Sequence, residues 1–313
     1  TPVNLTSRQK QLLREFAGVN GFPLCLDETD VDAFVETVVR IAPVFGAINL
    51  EDIAAPRCFE IERRLKERLD IPVFHDDQHG TAVVAVAALL NSLKIVGKDL
   101  KDIKVVIVGI GAAGTAVTHM LDEMGVGNIV GVDRQGAVHS GREDLDEAKR
   151  AYASVTNPNG ETGSLSEVME GADVFIGLSG PDVIGIEDLQ RMNRDPIVFA
   201  MANPRPEIMP EVAYPHVAVM ATGRSDYPNQ INNVLCFAGL FKGVLDCRAT
   251  DVTDGMKIAA AHAVADTIAE DSLTSDYVIP SVFDQHVVDR VAEAVKNAAW
   301  EEGIAGRDRV HSR

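Results

Sequence analysis

Short apolar runs alternate with amphipathic stretches along nearly the whole chain. Runs at 22–26, 47–50, 72–74, 104–108, 128–132, 174–176, 197–200 and 217–220 are rich in Val, Ile, Leu and Phe. Turn-forming residues bound most of them, and they predict strands. Stretches at 31–44, 56–69, 80–95, 112–124, 237–247, 253–270 and 283–300 predict helices, and Pro56 stands at the first turn of its own. Strands that are apolar throughout and alternate with helices belong in parallel sheets covered on both faces. The expected fold class is therefore α/β. No internal repeat or low-complexity tract interrupts the pattern.

Composition narrows the picture. The 313 residues are 46% apolar, enough to bury a sizeable core. Asp and Glu total 47 against 29 Lys and Arg, a formal charge of −18. That balance argues against nucleic acid and anionic membrane as partners, because binding phosphate needs a cationic face. No apolar run reaches the roughly 18 residues that span a bilayer, and the stretch 81–90 is too short, so no membrane span is expected. The four cysteines, Cys25, Cys58, Cys236 and Cys247, are widely spread with no C-x-x-C pair. Reduced thiols and a cytoplasmic location are expected rather than a disulfide scaffold or a structural zinc. The first residue is Thr, as in a processed chain or a fragment.

The predicted strand 104–108 runs into Gly109-Ile110-Gly111-Ala112-Ala113-Gly114 and then a helix. In this G-x-G-x-x-G spacing the first glycine permits a tight turn. The second lets a pyrophosphate approach the backbone, and the third lets helix and strand pack closely. Phosphates then rest on free N–H groups at the helix start. Glycine-rich turns are common, but this one follows a strand, opens a helix and is followed by a strand ending in Asp133. An acid at that distance is placed to accept from ribose hydroxyls. Asp133 favours NAD, while Arg134 beside it could clamp the 2′-phosphate of NADP or lie in solvent in a D-R-Q-G turn. The polar segment 94–102 reads as a hinge. A boundary is expected in or near helix 80–95, giving a first domain 1–79 and a dinucleotide-type second domain 80–313 whose C-terminal helices pack back toward the first.

Two predicted strands end in acidic pairs, Glu51-Asp52 and Asp76-Asp77. Ligand crevices in open parallel sheets lie beyond the carboxyl ends of strands, so both pairs would share one rim. Helix capping explains one acid at each place, not two. Four carboxylates together repel one another unless a cation sits among them, and oxygen ligation suits Mg²⁺ or Mn²⁺. His75 and His79 have a spacing that superficially suggests zinc, but it straddles a strand end rather than one helix face. Asn203 follows another strand, and Asn232-Asn233 precede a helix. Either site could hold an acid substrate or a nicotinamide amide, or serve merely as a turn and an N-cap. Arg224 could contact an anion or pair with Asp226.

These segments resemble the malic enzymes, the decarboxylating malate dehydrogenases, in their short bacterial or archaeal form. The resemblance rests on INLEDIAAPRCFEIERRL, IPVFHDDQHGTAVV, VVIVGIGAAGTAV, VDRQG, FAMANPRPEIMP, ATGRSDYPNQINNVL and YVIPSVFDQHVV, and it extends from about Phe16 onward. It implies a metal-bearing α/β domain, truncated at its N-terminus, followed by a Rossmann-type doubly wound domain. Glu51, Asp52 and Asp77 would then be metal ligands, with Asp76 behind them beside the catalytic base. Gly109, Ile110, Gly111, Ala112, Ala113, Gly114 and Asp133 would hold the dinucleotide, Asn203 cofactor or substrate, and Asn233 or Asn232 the malate carboxylate. The implied reaction is L-malate + NAD(P)⁺ → pyruvate + CO₂ + NAD(P)H in a homodimer or larger assembly. The departure lies at the N-terminus. The family's acid is a Tyr in a preceding segment, and no Tyr precedes Tyr152. The family's catalytic Lys aligns on Gln9. Lys10, one step and roughly 100° further round a helix, is left as the candidate base, against the plain reading of a solvated lysine. A non-catalytic or impaired fragment or paralogue that binds dinucleotide and metal is the alternative. Another Rossmann oxidoreductase, such as an amino-acid dehydrogenase, would explain the glycine turn but not the acids.

Overall fold

The computed structural model describes residues 2–307, with side chains from Lys10 onward. Contacts divide the chain into two compact units. The first gathers the residues up to 84 with 233–267 and those from 282 on, and the second holds 85–232 and 268–281.

The first unit opens with helices α1 (Pro2–Ala17), α2 (Val31–Ile41) and α3 (Arg57–Arg68) and strands β1 (Ile48–Leu50) and β2 (Val73–His75). Helix α4 (Asp76–Val96) begins in this unit and ends in the other. The second unit contains β3 (Lys104–Val108), α5 (Ala112–Glu123), β4 (Asn128–Asp133), β5 (Gly136–Ala137), α6 (Glu147–Val155), α7 (Leu165–Val168), β6 (Val174–Gly177), α8 (Ile186–Leu189), β7 (Ile197–Ala200), α9 (Pro210–Ala213) and β8 (Val219–Thr222). The chain then contributes α10 (Val234–Cys247), α11 (Asp254–Ala265) and α12 (Gln285–Glu301) to the first unit.

In the second unit the sheet order is β5-β4-β3-β6-β7-β8. All neighbours are parallel except β5, which turns back on β4. The strands are apolar throughout because both faces are covered: Val106, Val130, Phe175, Val198 and Met220 meet the short helices in one core. The strand order reverses between β3 and β6, the switch point at which doubly wound sheets open a crevice at their carboxyl ends.

In the first unit α12 packs on α10 and α11, and α1 lies on α10. Gly239 and Gly243 make the close approach possible. A Cβ on Gly239 would lie 2.6 Å from Val291 Cβ, and one on Gly243 2.8 Å from the Ala292 carbonyl. Strands β1 and β2 pair in parallel, with Leu50 opposite His75.

Three expectations are corrected. Residues 22–26 form no strand: Pro23 has no N–H to offer a ladder, and Phe22 and Leu24 are 75% and 48% exposed. Helix α11 stops at Ala265, short of residue 270. Helix α4 starts at Asp76 rather than Gly80 and runs 21 residues, long and apolar enough by composition to cross a bilayer, yet 67% of its most apolar stretch is buried in the protein. It is read as a core helix.

Candidate active site

The β1–β2 register brings both acidic pairs to the same end of the two-stranded sheet. Glu51 and Asp52 occupy the turn after β1, and Asp76 and Asp77 form the first turn of α4, where the helix dipole favours negative charge. Asp52 adopts φ 55°, a left-handed conformation that Asp tolerates better than most residues. Its N–H donates to Asp77 Oδ2 at 2.8 Å, joining the two acidic segments. Glu51 Oε2 accepts from Asn49 Nδ2 at 3.0 Å.

Asp76 is fully buried. Its Oδ2 accepts from Asn233 Nδ2 at 2.6 Å, while Oδ1 has no hydrogen-bond partner among the described residues. Oδ1 lies over Gly80, where any Cβ would collide with it, which is why glycine stands in the second turn of α4. Burial pushes the Asp76 carboxyl well above the usual range, and the negative charges of Glu51 and Asp77 push it further. An orphaned buried oxygen among mutually repelling carboxylates fits a hard divalent cation. Among the described residues, however, no three His, Cys, Asp or Glu side chains are gathered into a ready cage. The acids share a rim without yet converging on a point.

His75 is buried, with its Nε2 3.9 Å from Asp77 Oδ2 and the Ile53 backbone beside the ring. Burial pushes its pKa down, against the opposing pull of Asp77 and Glu62. His79 is turned elsewhere: its Nε2 lies 2.8 and 2.9 Å from the two oxygens of Glu62, which Gln78 also contacts at 3.2 Å. The two histidines therefore form no zinc pair. The role of Glu62 was hidden in the sequence because it reads as one more acid on the charged helix α3.

Asn233 stands at the N-cap of α10 but makes no capping bond, because its side chain is committed to Asp76. Lys10 is exposed on α1 and lines a cavity of about 460 Å³ together with Phe22, Leu24, Glu51, Asp52 and Arg57. The side chain of Gln9 lies outside the described residues. Tyr152 offers no substitute acid: it is buried against Gly131, bonded to Thr118 Oγ1 at 2.9 Å, and burial pushes its pKa upward.

In the second unit the glycine turn sits at the switch point. Gly109 has φ 92°, and a Cβ there would strike the Leu178 carbonyl at the end of β6. A Cβ on Gly114 would strike the Gly109 carbonyl, so the third glycine serves helix–strand packing. Gly111 differs: an added Cβ would meet nothing within 4 Å. The protein gives no internal reason for glycine at the N-cap of α5. An open space before the first turn, with Ile110, Ala112 and Ala113 around it, is what a closely approaching phosphate requires.

Asp133 ends β4, and Val132 beside it accepts from the Gly109 N–H at 3.1 Å. Its carboxylate is fully engaged by Arg142, Lys149 and the Gln135 N–H, whereas Arg134 is exposed. Partial burial raises the Asp133 pKa, but the bonds from Arg142 and Lys149 outweigh it and hold the carboxyl at about 2. Asn203 is exposed beyond β7, near Gly223. Asn232 is half-buried at the edge of this unit. Arg224 is paired with Asp226 at 2.9 and 2.6 Å, the plainer of its two readings. Like Glu62, the buried Glu207 escaped the sequence reading: it accepts from the Ser179 and Ala202 N–H groups, both at 3.0 Å, tying together the loops after β6 and β7.

A doubly wound sheet with a glycine turn at its switch point defines a dinucleotide-binding α/β protein. Residues 78–300 match the family model "Malic enzyme, NAD binding domain", and residues 23–66 match "Malic enzyme, N-terminal domain". The chain belongs to the malic enzyme family. It is 61% identical over 299 residues to an NAD-dependent malic enzyme of Geobacillus stearothermophilus, covering 96% of this chain and 63% of that one. It is 47% identical to an NADP-dependent malic enzyme of Halomonas elongata, covering 95% of this chain and 74% of that one. The malic enzyme structure from Pyrococcus horikoshii superposes with a TM-score of 0.93 at 43% identity, covering 97% of this chain and 72% of that one.

Proposed function

We propose that the chain carries the metal- and dinucleotide-binding machinery of a malic enzyme, which oxidatively decarboxylates L-malate to pyruvate and CO₂ with reduction of NAD or NADP. The observation that carries this reading is the buried Asp76 carboxylate, with one oxygen unpaired, beside Glu51 and Asp77 on the rim formed by β1 and β2. Glu51, Asp52 and Asp77 would hold Mg²⁺ or Mn²⁺, which when bound supplies Lewis acidity toward charge developing on the substrate oxygen as CO₂ leaves.

The chain's own residues have separate tasks. Asn233 fixes the Asp76 carboxyl through its 2.6 Å hydrogen bond. Lys10, on the cavity that Glu51 and Asp52 also line, is the candidate base for the malate hydroxyl proton. Gly111 leaves the start of α5 open to the pyrophosphate, and Asp133 marks the ribose end, with NAD the favoured form. Asn203 is offered to the cofactor or substrate, and Asn233 or Asn232 to the malate carboxylate. Activity in the cytoplasm, as a homodimer or larger assembly, belongs to the same reading.

A second reading is binding of the dinucleotide and metal without turnover. The deciding experiment follows NAD(P)H absorbance with malate, Mn²⁺ and each nucleotide, alongside direct nucleotide binding. Malate-dependent reduction that EDTA suppresses and Mn²⁺ restores supports the enzyme. Nucleotide binding without reduction supports the second reading, and malate oxidation indifferent to EDTA contradicts the metal assignment.

A further inference from the structure

Helix α3 carries ion pairs on its exposed side, where Glu60 meets Arg64 and Glu67 meets Arg63. Glu62 is the exception. It lies on the buried face with Cys58, Ile61 and Leu65, and only 7% of it is exposed. An apolar residue would fill that position, and a carboxylate is costly to bury unless it is paired. Its partners are two consecutive residues in the first turn of α4. His79 Nε2 lies 2.8 and 2.9 Å from its two oxygens, and Gln78 Nε2 donates to Oε2 at 3.2 Å. Lys66 Nζ stands 4.0 Å from Oε1. Burial raises the Glu62 pKa, but the interaction with His79 and the charges of Lys66 and Lys257 outweigh it and hold the group below the usual carboxylate range. A carboxylate only accepts, so His79 Nε2 carries the proton and donates it.

The turn so held is the one that bears the acids. Asp76, Asp77, Gln78 and His79 are the first four residues of α4, where a helix has unsatisfied N–H groups and frays. Successive side chains leave a helix about 100° apart. A single carboxylate that receives both Gln78 and His79 therefore fixes the rotation of the turn about the helix axis, which one anchor alone would not. That rotation decides where Asp76 and Asp77 point. Two other contacts act on the acids directly, Asn233 on Asp76 and the Asp52 N–H on Asp77. Glu62 acts on them only through the turn.

From this arrangement we propose that Glu62 is a positioning residue for the cation: it holds the first turn of α4 so that the Asp76 and Asp77 carboxylates face the rim formed by β1 and β2, without being a ligand itself. The inference rests on the metal-binding reading above.

The test is Mn²⁺ binding by the full chain, followed through the electron paramagnetic resonance of free Mn²⁺, for the native sequence, Glu62→Gln, Glu62→Asp and Gln78→Met. Glu62→Gln keeps the volume but loses the charge and one acceptor oxygen. Glu62→Asp keeps the charge but falls one methylene short of both partners. Gln78→Met removes one anchor and leaves the Glu62–His79 pair. Each is expected to raise the Mn²⁺ Kd by roughly tenfold or more. NADH binding should stay within about twofold of native, because the glycine turn lies in the other unit. Native-like Mn²⁺ affinity in Glu62→Asp overturns the proposal, whatever Glu62→Gln does, because charge alone would then suffice. Native-like affinity in Gln78→Met overturns it as well. A fall in thermal unfolding midpoint accompanied by equal losses of Mn²⁺ and NADH binding would mark a merely structural residue and also overturn it. If the native chain binds no Mn²⁺, the metal reading itself falls and takes this inference with it, a result distinct from native binding that the variants leave unchanged.

Discussion

Gly111 and Gly114 have the same side chain for opposite reasons, and the difference can be measured. A Cβ at Gly111 meets only open space, while one at Gly114 strikes the Gly109 carbonyl. Gly111→Ala should therefore leave stability within about 0.5 kcal/mol of native and weaken dinucleotide binding by roughly tenfold or more. Gly114→Ala should cost about 1–3 kcal/mol by overpacking strand against helix. Urea unfolding and nucleotide titration of the two variants separate the effects, and equal destabilisation would remove the phosphate argument from Gly111. The spacing of these glycines was legible in the sequence, because each task belongs to a position in one short motif. The partners of Asp133 were not. The residue beside it, Arg134, looked like the cation of interest, but the strand ends there and the chain folds back, so Arg142 and Lys149 reach the carboxylate instead. Pairings made by a returning chain leave no periodic trace.

At the scale of elements, hydrophobic pattern located β3 and β7 to the residue and β4, β6 and α5 to within one, because strands and helices buried on their apolar faces announce themselves. The pattern failed where burial was not the cause. Residues 22–26 look like a strand but line a cavity as exposed, irregular chain. The start of α4 was missed because Asp76 and Asp77 interrupt the apolar run, although a helix N-terminus favours acids there. The short α7, α8 and α9 and the polar α6 gave no sufficient signal. Helices α10 and α12 make a specific demand: Gly239 and Gly243 let them touch. Gly239→Val should destabilise the first unit by about 2 kcal/mol or more, because Val291 Cβ and the Val288 carbonyl already occupy the space. Thermal unfolding followed by circular dichroism measures the loss, and an unchanged midpoint would contradict the packing assigned to this helix pair.

At the scale of the whole molecule, two units of different construction divide the chemistry. The second carries the glycine turn and Asp133, and the first carries the carboxylate rim and Lys10. The sequence disclosed the glycine turn, Asp133 and the acidic pairs, since each lies at the end of a strand, but it could not reveal that His79 would turn to Glu62. Nor could it reveal that Asp76 would be buried with an unpaired oxygen, held by an asparagine far along the chain. That carboxylate cluster is the centre of the account, and its affinity for a cation can be measured without turnover. Electron paramagnetic resonance of free Mn²⁺, titrated against the native chain, Glu51→Gln and Asp77→Ala, is the most direct measurement. One bound ion per native chain, with affinity lost in both variants, is the predicted result. Native-like Mn²⁺ binding in Asp77→Ala, or none by the native chain, would contradict it.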